Sequence, residues 1–179
     1  IKPPGFWEEF RDRVRRFNCD AYLVGEIWRA APDWVRGDRF DATMNYEFAA
    51  ATIAFTAGSR VSRVLVEGRS YQPYPGIDAA EFGRRIDRLL AVFDEPTAQV
   101  QFNLLDSHDT PRLLSIARGD RATIRLATLF QLTFPGAPCI YYGNEIGLRG
   151  TRRYDRRHRD QDARWPFPWD NESIWDREM

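Results

Sequence analysis

The sequence predicts an α/β protein built around a parallel sheet. Segments with helical periodicity alternate with short apolar runs, and the last regular element is again an apolar run. Such alternation is typical of parallel sheets whose strands are connected by helices. The first apolar run, at Tyr22 to Ile27, has the composition of an inner strand that is covered on both faces of the sheet.

Four short apolar runs are the predicted strands. They lie near residues 22–27, 40–44, 100–105 and 138–142. In barrel folds the carboxyl ends of such strands carry the catalytic groups, so polar residues at these ends are the first candidates for a site.

The helices are predicted from apolar periodicity and from capping residues. The first helix has an apolar face formed by Phe6, Phe10, Val14 and Phe17. A short helical turn begins near Pro32, and a helix from Phe48 to Ala57 is stopped by Gly58.

Two further helices are predicted to begin at aspartate caps. Asp78 caps a helix with an apolar face, and Asp120 caps a helix that runs through Phe134. This last helix is apolar on most sides, and we expect it to be buried.

Composition indicates one globular domain, residues 1–179. These 179 residues can bury one substantial core, and 43% of them are hydrophobic and 14% aromatic. The 26 basic and 26 acidic side chains cancel, so neither nucleic acid nor an anionic membrane is an expected partner. Every apolar run is shorter than the roughly 18 residues that a transmembrane helix needs.

No cofactor or structural metal is expected. Cys19 and Cys139 lie in different predicted elements and form neither a disulfide framework nor a metal site, which favours a cytoplasmic location. The glycines after residue 135 lack the spacing of a dinucleotide-binding motif. The chain begins with Ile1, so we expect it to be a fragment or a processed product.

The first predicted strand ends in a carboxylate, Glu26. A carboxylate is costly to bury at that point and contributes little to packing. Hydrolysis of a glycosidic bond needs one carboxylic acid to protonate the leaving oxygen. Glu26 suits this role if apolar neighbours such as Trp28 keep it protonated by shielding it from water.

The third predicted strand breaks into polar groups, in the segment Leu104-Leu-Asp-Ser-His-Asp109-Thr-Pro-Arg112. At this second strand end, His108 and Asp109 can hold sugar hydroxyls and stabilise developing positive charge. The residue types alone leave another interpretation open, in which Asp109 or Thr110 caps a helix beginning at Pro111.

Together these segments resemble the α-amylase superfamily of glycoside hydrolases, which are retaining (β/α)8-barrel enzymes that act on α-glucans. Val24 to Trp28 is similar to the motif at barrel strand five, and Leu104 to Asp109 to the motif at strand seven. Three further stretches resemble the neopullulanase, cyclomaltodextrinase and maltogenic amylase branch: Trp34 to Tyr46, Phe130 to Glu145, and Arg164 to Trp169.

The resemblance implies a role for each candidate residue. Glu26 would be the general acid/base, Asp109 the transition-state stabiliser, and His108 a ligand of the sugar before the scissile bond. The other expected substrate-binding residues are Trp28 and Arg29, on the leaving-group side, together with Asn45 and Arg112.

The resemblance also implies which part of a barrel this is. The chain would hold strands five to eight of a TIM-type (β/α)8 barrel, without the first half or a C-terminal β-domain. The nucleophile, an aspartate on strand four, would lie upstream of Ile1, so the isolated chain is expected to be inactive. Two residues depart from the branch, which often has histidine at the position of Arg29 and usually has aspartate at the position of Asn144. These departures weaken the inference that this chain shares the substrate preference of the branch.

The expected ligand is an α-glucan or a maltooligosaccharide. Half a barrel leaves two strand edges open, which predicts a homodimer or pairing with the missing half. A rival hypothesis is a non-catalytic relative that keeps the barrel for carbohydrate binding or interaction. Such relatives usually lose the acid or the aspartate, whereas Glu26 and Asp109 are both present.

Two other motifs favour ordinary structural roles. Asp38, Asp41 and Asn45 offer oxygen ligands for calcium, but capping and hydrogen bonding are the preferred interpretation. The basic segment 152–159 is interrupted by Asp155 and is interpreted as a solvated loop rather than a nucleic-acid site. The sequence has two histidines, which makes a histidine metal cluster implausible.

Overall fold

The computed structural model describes residues 3–68, 71–151 and 162–179. Within these ranges helices and strands alternate as predicted. The helices are α1 Phe6–Phe17, α2 Tyr46–Thr56, α3 Arg63–Val66, α4 Ala79–Val92, α5 Glu95–Ala98, α6 Leu113–Ile116 and α7 Arg121–Thr133. The strands are β1 Val24–Gly25, β2 Ala42–Thr43, β3 Phe102–Leu104 and β4 Ala137–Cys139. Short 3-10 turns lie at Pro32–Trp34, Gly58–Arg60, Asn144–Ile146, Asp162–Arg164 and Glu172–Ile174.

The strands are parallel and lie side by side in chain order. β1 pairs with β2, with Val24 opposite Ala42, and β3 pairs with β4. A parallel bridge between Met44 and Phe102 joins the two pairs, and the Asn45 N–H donates to the Phe102 carbonyl at 2.9 Å. The carboxyl ends of the described strands therefore lie along one edge of the sheet.

All four predicted strands are present, but they are shorter than predicted and the last one is displaced. β4 ends at Cys139, so Ile140 to Tyr142 leave the sheet. Their carbonyl groups accept hydrogen bonds from outside the sheet, which explains the early end of β4. The Tyr141 carbonyl accepts from the Asn144 N–H at 3.1 Å, and the Tyr142 carbonyl accepts from Arg112 Nη1 at 2.5 Å.

β1 lies at an open edge of the sheet in the described part of the chain. There β1 pairs with β2 alone, and Tyr22 is 44% exposed. Beside β1 lies a cavity of about 480 Å³ that is lined by Trp7, Phe10 and Phe40, among others. The apolar run therefore faces aromatic side chains and an open groove rather than a second strand.

Capping side chains fix where the helices begin. Asp78 and Asp120 accept hydrogen bonds from N–H groups in the first turns of α4 and α7, as predicted. Asn45 caps α2 in the same way, through the N–H of Phe48 at 3.1 Å. α2 consequently begins at Tyr46, two residues earlier than its apolar pattern indicated.

The apolar face predicted for α1 is only partly used. Phe17, expected on that face, is 96% exposed. The helix is held instead by Trp7, whose ring centroid lies 5.1 Å from that of Phe40, and by Arg11, which lies 2.8 Å from the Asp41 carboxylate.

The prediction that the helix after Asp120 is buried is also wrong. One face of α7 is covered, and its Gln131 donates to the carbonyls of Asn103 and Cys139, both at 2.9 Å. The other face exposes three leucines by half or more: Leu126, Leu129 and Leu132. A helix that is apolar on most sides needs packing partners on most sides, and the described residues cover only one side of α7.

The core lies between the sheet and helices α2, α6 and α7. Its fully covered apolar side chains include Phe48, Ile53, Leu104, Leu113 and Ile116. This packing fixes the ends of β2 and β3, and the turn that follows β3 carries His108 and Asp109.

No helix of the described residues is long and apolar enough to cross a membrane. The basic segment 152–159, with His158, lies outside the described residues, so its interpretation as a solvated loop stays a prediction.

Candidate active site

Glu26 follows β1 directly and projects from the edge where the strands end. Gly25 makes this position possible, since a Cβ there would lie 2.8 Å from a ring carbon of Phe40. The Glu26 side chain is 45% exposed. The neighbouring Trp28 ring stacks on Tyr46, with centroids 3.9 Å apart and planes at 9°.

His108 and Asp109 lie in the turn that follows β3. Ser107 shapes this turn, because its hydroxyl accepts from the Asp109 N–H at 3.1 Å and its N–H donates to Thr110 Oγ1 at 2.8 Å. The alternative in which Asp109 or Thr110 caps a helix at Pro111 is wrong, since α6 begins at Leu113.

The two strand ends meet at His108. Its Nε2 lies 3.9 Å from Glu26 Oε1 and 3.7 Å from Asp109 Oδ2. These separations exceed hydrogen-bonding distance and leave the three polar groups directed at a common space. Residues far apart in the sequence thus form one cluster at the ends of β1 and β3.

Arg164, from a segment beyond β4, completes this cluster. Its Nη2 lies 2.5 Å from Asp109 Oδ1, and its Nε donates to the His108 carbonyl at 2.9 Å. One ligand atom from each of Glu26, His108 and Asp109 lies within 4.8 Å of the others, a spacing that a metal ion could bridge. The guanidinium on Asp109 opposes a cation at that place.

Trp28 and Tyr46 pack behind the cluster of Glu26, His108 and Asp109. The Tyr46 hydroxyl lies 3.0 Å from Ser107 Oγ, and Tyr46 is 1% exposed. Trp28 therefore belongs to a stack that connects the end of β1, the start of α2 and the turn holding Asp109. This is a contact of Trp28 with the protein, in addition to the expected role beside a sugar.

Three expected substrate-binding residues have different surroundings. Arg29 is exposed, and its Nη1 donates to the Ala30 carbonyl at 3.4 Å. Asn45 is buried, caps α2 and donates to Asn103 Oδ1 at 2.8 Å. Arg112 is 0% exposed. Asn45 is 7% exposed, so little of either side chain is open to a sugar, and direct sugar contact by Asn45 and Arg112 stays a prediction.

The preferred interpretation of Asp41 is confirmed. Its carboxylate binds Arg11 and Arg15, each at 2.8 Å, and accepts from the Leu23 N–H at 2.8 Å. Burial acts to raise the pKa of Asp41, but these hydrogen bonds and charges bring it below its usual value. Asp41 thus fastens α1 to the start of β1.

Sequence reasoning missed two residues, Arg164 and Asp106. Arg164 was singled out only as part of a motif, and no spacing in the sequence points to its contact with Asp109. Asp106 is 3% exposed and accepts from the Leu113 N–H at 2.5 Å, so that it satisfies the first N–H of α6. The signal for it was a carboxylate immediately after an apolar strand.

A parallel sheet whose strand ends bring together a glutamate, a histidine and an aspartate defines a candidate glycoside-hydrolysing site of the barrel type. The chain belongs to the α-amylase family, and residues 2–175 match the α-amylase catalytic domain.

Comparison with individual proteins confirms the resemblance to the cyclomaltodextrinase and neopullulanase branch. The chain is 42% identical over 167 residues to the cyclomaltodextrinase of Geobacillus thermopakistaniensis (strain MAS1), covering 93% of this chain and 24% of that protein. It is 41% identical over 165 residues to neopullulanase 2 of Thermoactinomyces vulgaris, covering 92% and 24%.

Among solved structures, the debranching enzyme of Nostoc punctiforme aligns with a TM-score of 0.88 and 49% identity, over 99% of this chain and 35% of that one. The same enzyme in an acarbose-soaked form aligns with a TM-score of 0.86. The chain thus spans about a quarter of the length of the curated relatives it matches.

Proposed function

We propose that this chain is part of a retaining α-glucan hydrolase or transglycosylase that carries out its acid/base step with Glu26. The observation that carries the proposal is the convergence of Glu26 and Asp109 on His108, at 3.9 and 3.7 Å. Two carboxylates from separate strand ends, with a hydrogen-bonding group between them, suit an oxocarbenium-like transition state.

The acid/base role fits the surroundings of Glu26. Its side chain is 45% exposed, so it can reach the glycosidic oxygen of a bound glucan. In a retaining reaction it gives a proton to the leaving oxygen, and it later takes a proton from the water or sugar that attacks the covalent intermediate.

The stabilising role fits Asp109. Arg164 holds Asp109 Oδ1 at 2.5 Å, while Oδ2 lies on the side of His108. A carboxylate held in this way needs little reorganisation when positive charge develops at the anomeric carbon. In the same arrangement His108 binds a hydroxyl of the sugar that carries this carbon.

The proposal assigns the nucleophile to a segment outside residues 1–179. A retaining mechanism needs a second carboxylate about 5–5.5 Å from the acid, on the opposite side of the anomeric carbon. The family resemblance assigns that aspartate to a strand preceding Glu26. The substrate is an α-glucan or maltooligosaccharide, with Trp28 and Arg29 on its leaving-group side.

The test is Glu26→Gln in the complete protein that contains this chain. We expect turnover of an α-glucan to fall by about 10²–10⁴-fold, because glutamine cannot donate the proton. A substrate with a good leaving group needs little protonation, so its bond cleavage should be affected much less. Glu95→Gln, at an exposed carboxylate in α5, is the matched control and should leave both rates unchanged.

Two outcomes would contradict the proposal. Near-normal turnover of the glucan by Glu26→Gln would remove Glu26 from the acid/base role. A wild-type protein that binds maltooligosaccharides or acarbose without cleaving α-glucans would instead be the non-catalytic relative.

A further inference from the structure

Behind the candidate active site lies a buried polar cluster that the proposed chemistry does not use. Asp106 is 3% exposed and Arg112 is 0% exposed. Asp106 Oδ2 accepts from the Leu113 N–H at 2.5 Å, and Oδ1 accepts from Asn144 Nδ2 at 2.6 Å. A single side chain therefore joins the end of β3, the start of α6 and the turn after β4.

Arg112 completes the cluster from the other side. Its Nη1 donates to the Tyr142 carbonyl at 2.5 Å and lies 3.4 Å from Asn144 Oδ1. Its guanidinium lies over the rings of Tyr141 and Tyr142, at 4.6 and 4.8 Å from their centroids. Within the described residues its Nε and Nη2 have no hydrogen-bond partner, so the Asp106 charge and the two ring faces compensate the buried cation.

The cluster encloses the turn that carries the candidate site. His108 and Asp109 lie between Asp106 and Arg112, and both of these flanking side chains are anchored to the segment after β4. The bond from Leu113 to Asp106 closes the base of the turn. A change at this base therefore moves His108 and Asp109 without touching a substrate.

We propose that Asp106, paired with Asn144, is a positioning residue that holds the turn of His108 and Asp109 in its productive place. This inference rests on the proposed function for its catalytic consequence, but the pairing itself can be tested without activity. The pairing requires a hydrogen-bond donor at position 144. An aspartate there would set two carboxylates 2.6 Å apart, whereas the amide supplies a donor.

The hydrogen bonding between Asp106 and Asn144 depends on pH, because Asp106 can be protonated. Burial raises the pKa of Asp106 to about 6, against the hydrogen bonds from Leu113 and Asn144 and the charge of Arg112, which lower it. The other charged or titratable groups around it, including those lining the cavity of about 400 Å³ that it shares, are Arg125, Cys139, Tyr141 and Glu145.

The sign of the effect follows from the raised pKa. The folded state binds the proton more tightly than the unfolded chain, whose aspartate has its ordinary pKa of 3.8. The contribution of this bound proton to the free energy of unfolding is fully present below about pH 4 and is lost as pH rises through about 6. The hydrogen bonds from Leu113 and Asn144 favour the ionised form, but burial outweighs them, so the folded state favours the protonated form.

The decisive experiment exchanges the two partners in the complete protein. In Asp106→Asn, two amide groups face each other and one donor loses its acceptor. In Asn144→Asp, two carboxylates face each other. In the double variant Asp106→Asn with Asn144→Asp, the new amide at position 106 accepts from the Leu113 N–H and donates to the new carboxylate at position 144. That carboxylate also accepts from Arg112. Asp87→Asn, at an exposed aspartate of α4, is the control.

We expect each single variant to lower kcat on an α-glucan by about 10–100-fold, with a smaller change in KM, because the turn is displaced by a fraction of an ångström. The loss in Asn144→Asp should grow as pH rises and both carboxylates ionise. The double variant should recover most of the rate. Asp106→Asn should also flatten the fall in melting temperature between pH 4 and pH 7, relative to the control.

The two readouts separate the possible failures. A double variant no better than either single one, or wild-type kcat and melting behaviour in Asp106→Asn, would overturn the pairing. If the wild-type protein does not cleave α-glucans, the proposed function fails. The melting temperatures of the four variants across this pH range then still decide whether the pair exists.

Discussion

The guanidinium of Arg164 binds two groups of the turn after β3, with Nη2 2.5 Å from Asp109 Oδ1 and Nε donating to the His108 carbonyl at 2.9 Å. Arg164 belongs to a segment after β4, whereas Asp109 follows β3. The planar fork of the guanidinium binds two acceptors in fixed directions. The orientation of Asp109 is thus set from outside its own loop.

We predict that Arg164→Ala lowers kcat on α-glucans by about 10–100-fold in the complete protein, because Asp109 loses the group that orients it. Arg164→Lys should recover only part of the rate, since an ammonium group cannot bind both acceptors in the fork geometry. Steady-state kinetics of both variants would measure the effect. Arg84→Ala is the control, because Arg84 is exposed and pairs with Glu81 on the surface of α4. Equal rates in Arg164→Ala and Arg84→Ala would show that the contact has no catalytic role.

A second prediction concerns the support beneath the turn. Tyr46→Phe removes the hydroxyl that lies 3.0 Å from Ser107 Oγ, while the ring stack with Trp28 is kept. We expect a loss of about 1 kcal/mol in the free energy of unfolding, with a fall in kcat, since Ser107 also binds the Asp109 N–H. Denaturant titration and kinetics would measure the two effects.

Tyr74→Phe is the matched control for this change. It removes a hydroxyl from a second tyrosine that packs against the core, a partly buried one whose ring lies 5.1 Å from the Arg63 guanidinium and is kept in the variant. If Tyr46→Phe changes kcat no more than Tyr74→Phe does, the hydroxyl of Tyr46 has no part in placing the turn.

The sequence predicted the strand ends and the three residues that meet there because both depend on local pattern. An apolar run that gives way to polar residues marks Glu26 after β1 and the segment from Asp106 to Asp109 after β3, wherever the chain goes next. The partners of those residues depend on packing between distant segments. No spacing in the sequence places Arg164 against Asp109, or Asn144 against Asp106.

The burial of individual side chains has the same origin. Asn45 and Arg112 lie in segments that resemble the family, and packing buries both, Asn45 as the cap of α2 and Arg112 with its guanidinium over the rings of Tyr141 and Tyr142. The periodicity of α7 shows which residues are apolar, but not how many faces have partners. Leu129, at 60% exposed, is apolar without being covered by the described residues.

A third prediction is that residues 1–179, produced alone, do not hydrolyse α-glucans. Retention needs a nucleophile beside the acid, and the resemblance assigns that aspartate to a strand that precedes Glu26. The measurement is release of reducing sugar by the purified chain, with Glu26→Gln as the blank. Steady release that Glu26→Gln abolishes would contradict the prediction, because it would require a nucleophile within these residues.

The last prediction starts from the two edges of the sheet. Within the described residues β1 pairs only with β2, and β4 only with β3. Apolar groups accompany both edges: Tyr22 is 44% exposed beside β1, and Leu132 and Ile140 are 54% and 45% exposed beside β4. Strand edges of this kind are templates for association, and closure of the sheet removes them.

We therefore expect residues 1–179, produced alone, to associate with a second copy. A two-fold axis would set β4 of each chain beside β1 of the other, so that all four strand edges of the dimer are paired. Light scattering at micromolar concentration should give twice the mass of 20.9 kDa. Ile140→Arg should weaken this dimer by placing a charge at the β4 edge, whereas Val64→Arg, on the 81% exposed residue of α3, should not. A stable, well-folded monomer, or an aggregate that Ile140→Arg leaves unchanged, would contradict the prediction, because neither uses the two strand edges to close the sheet.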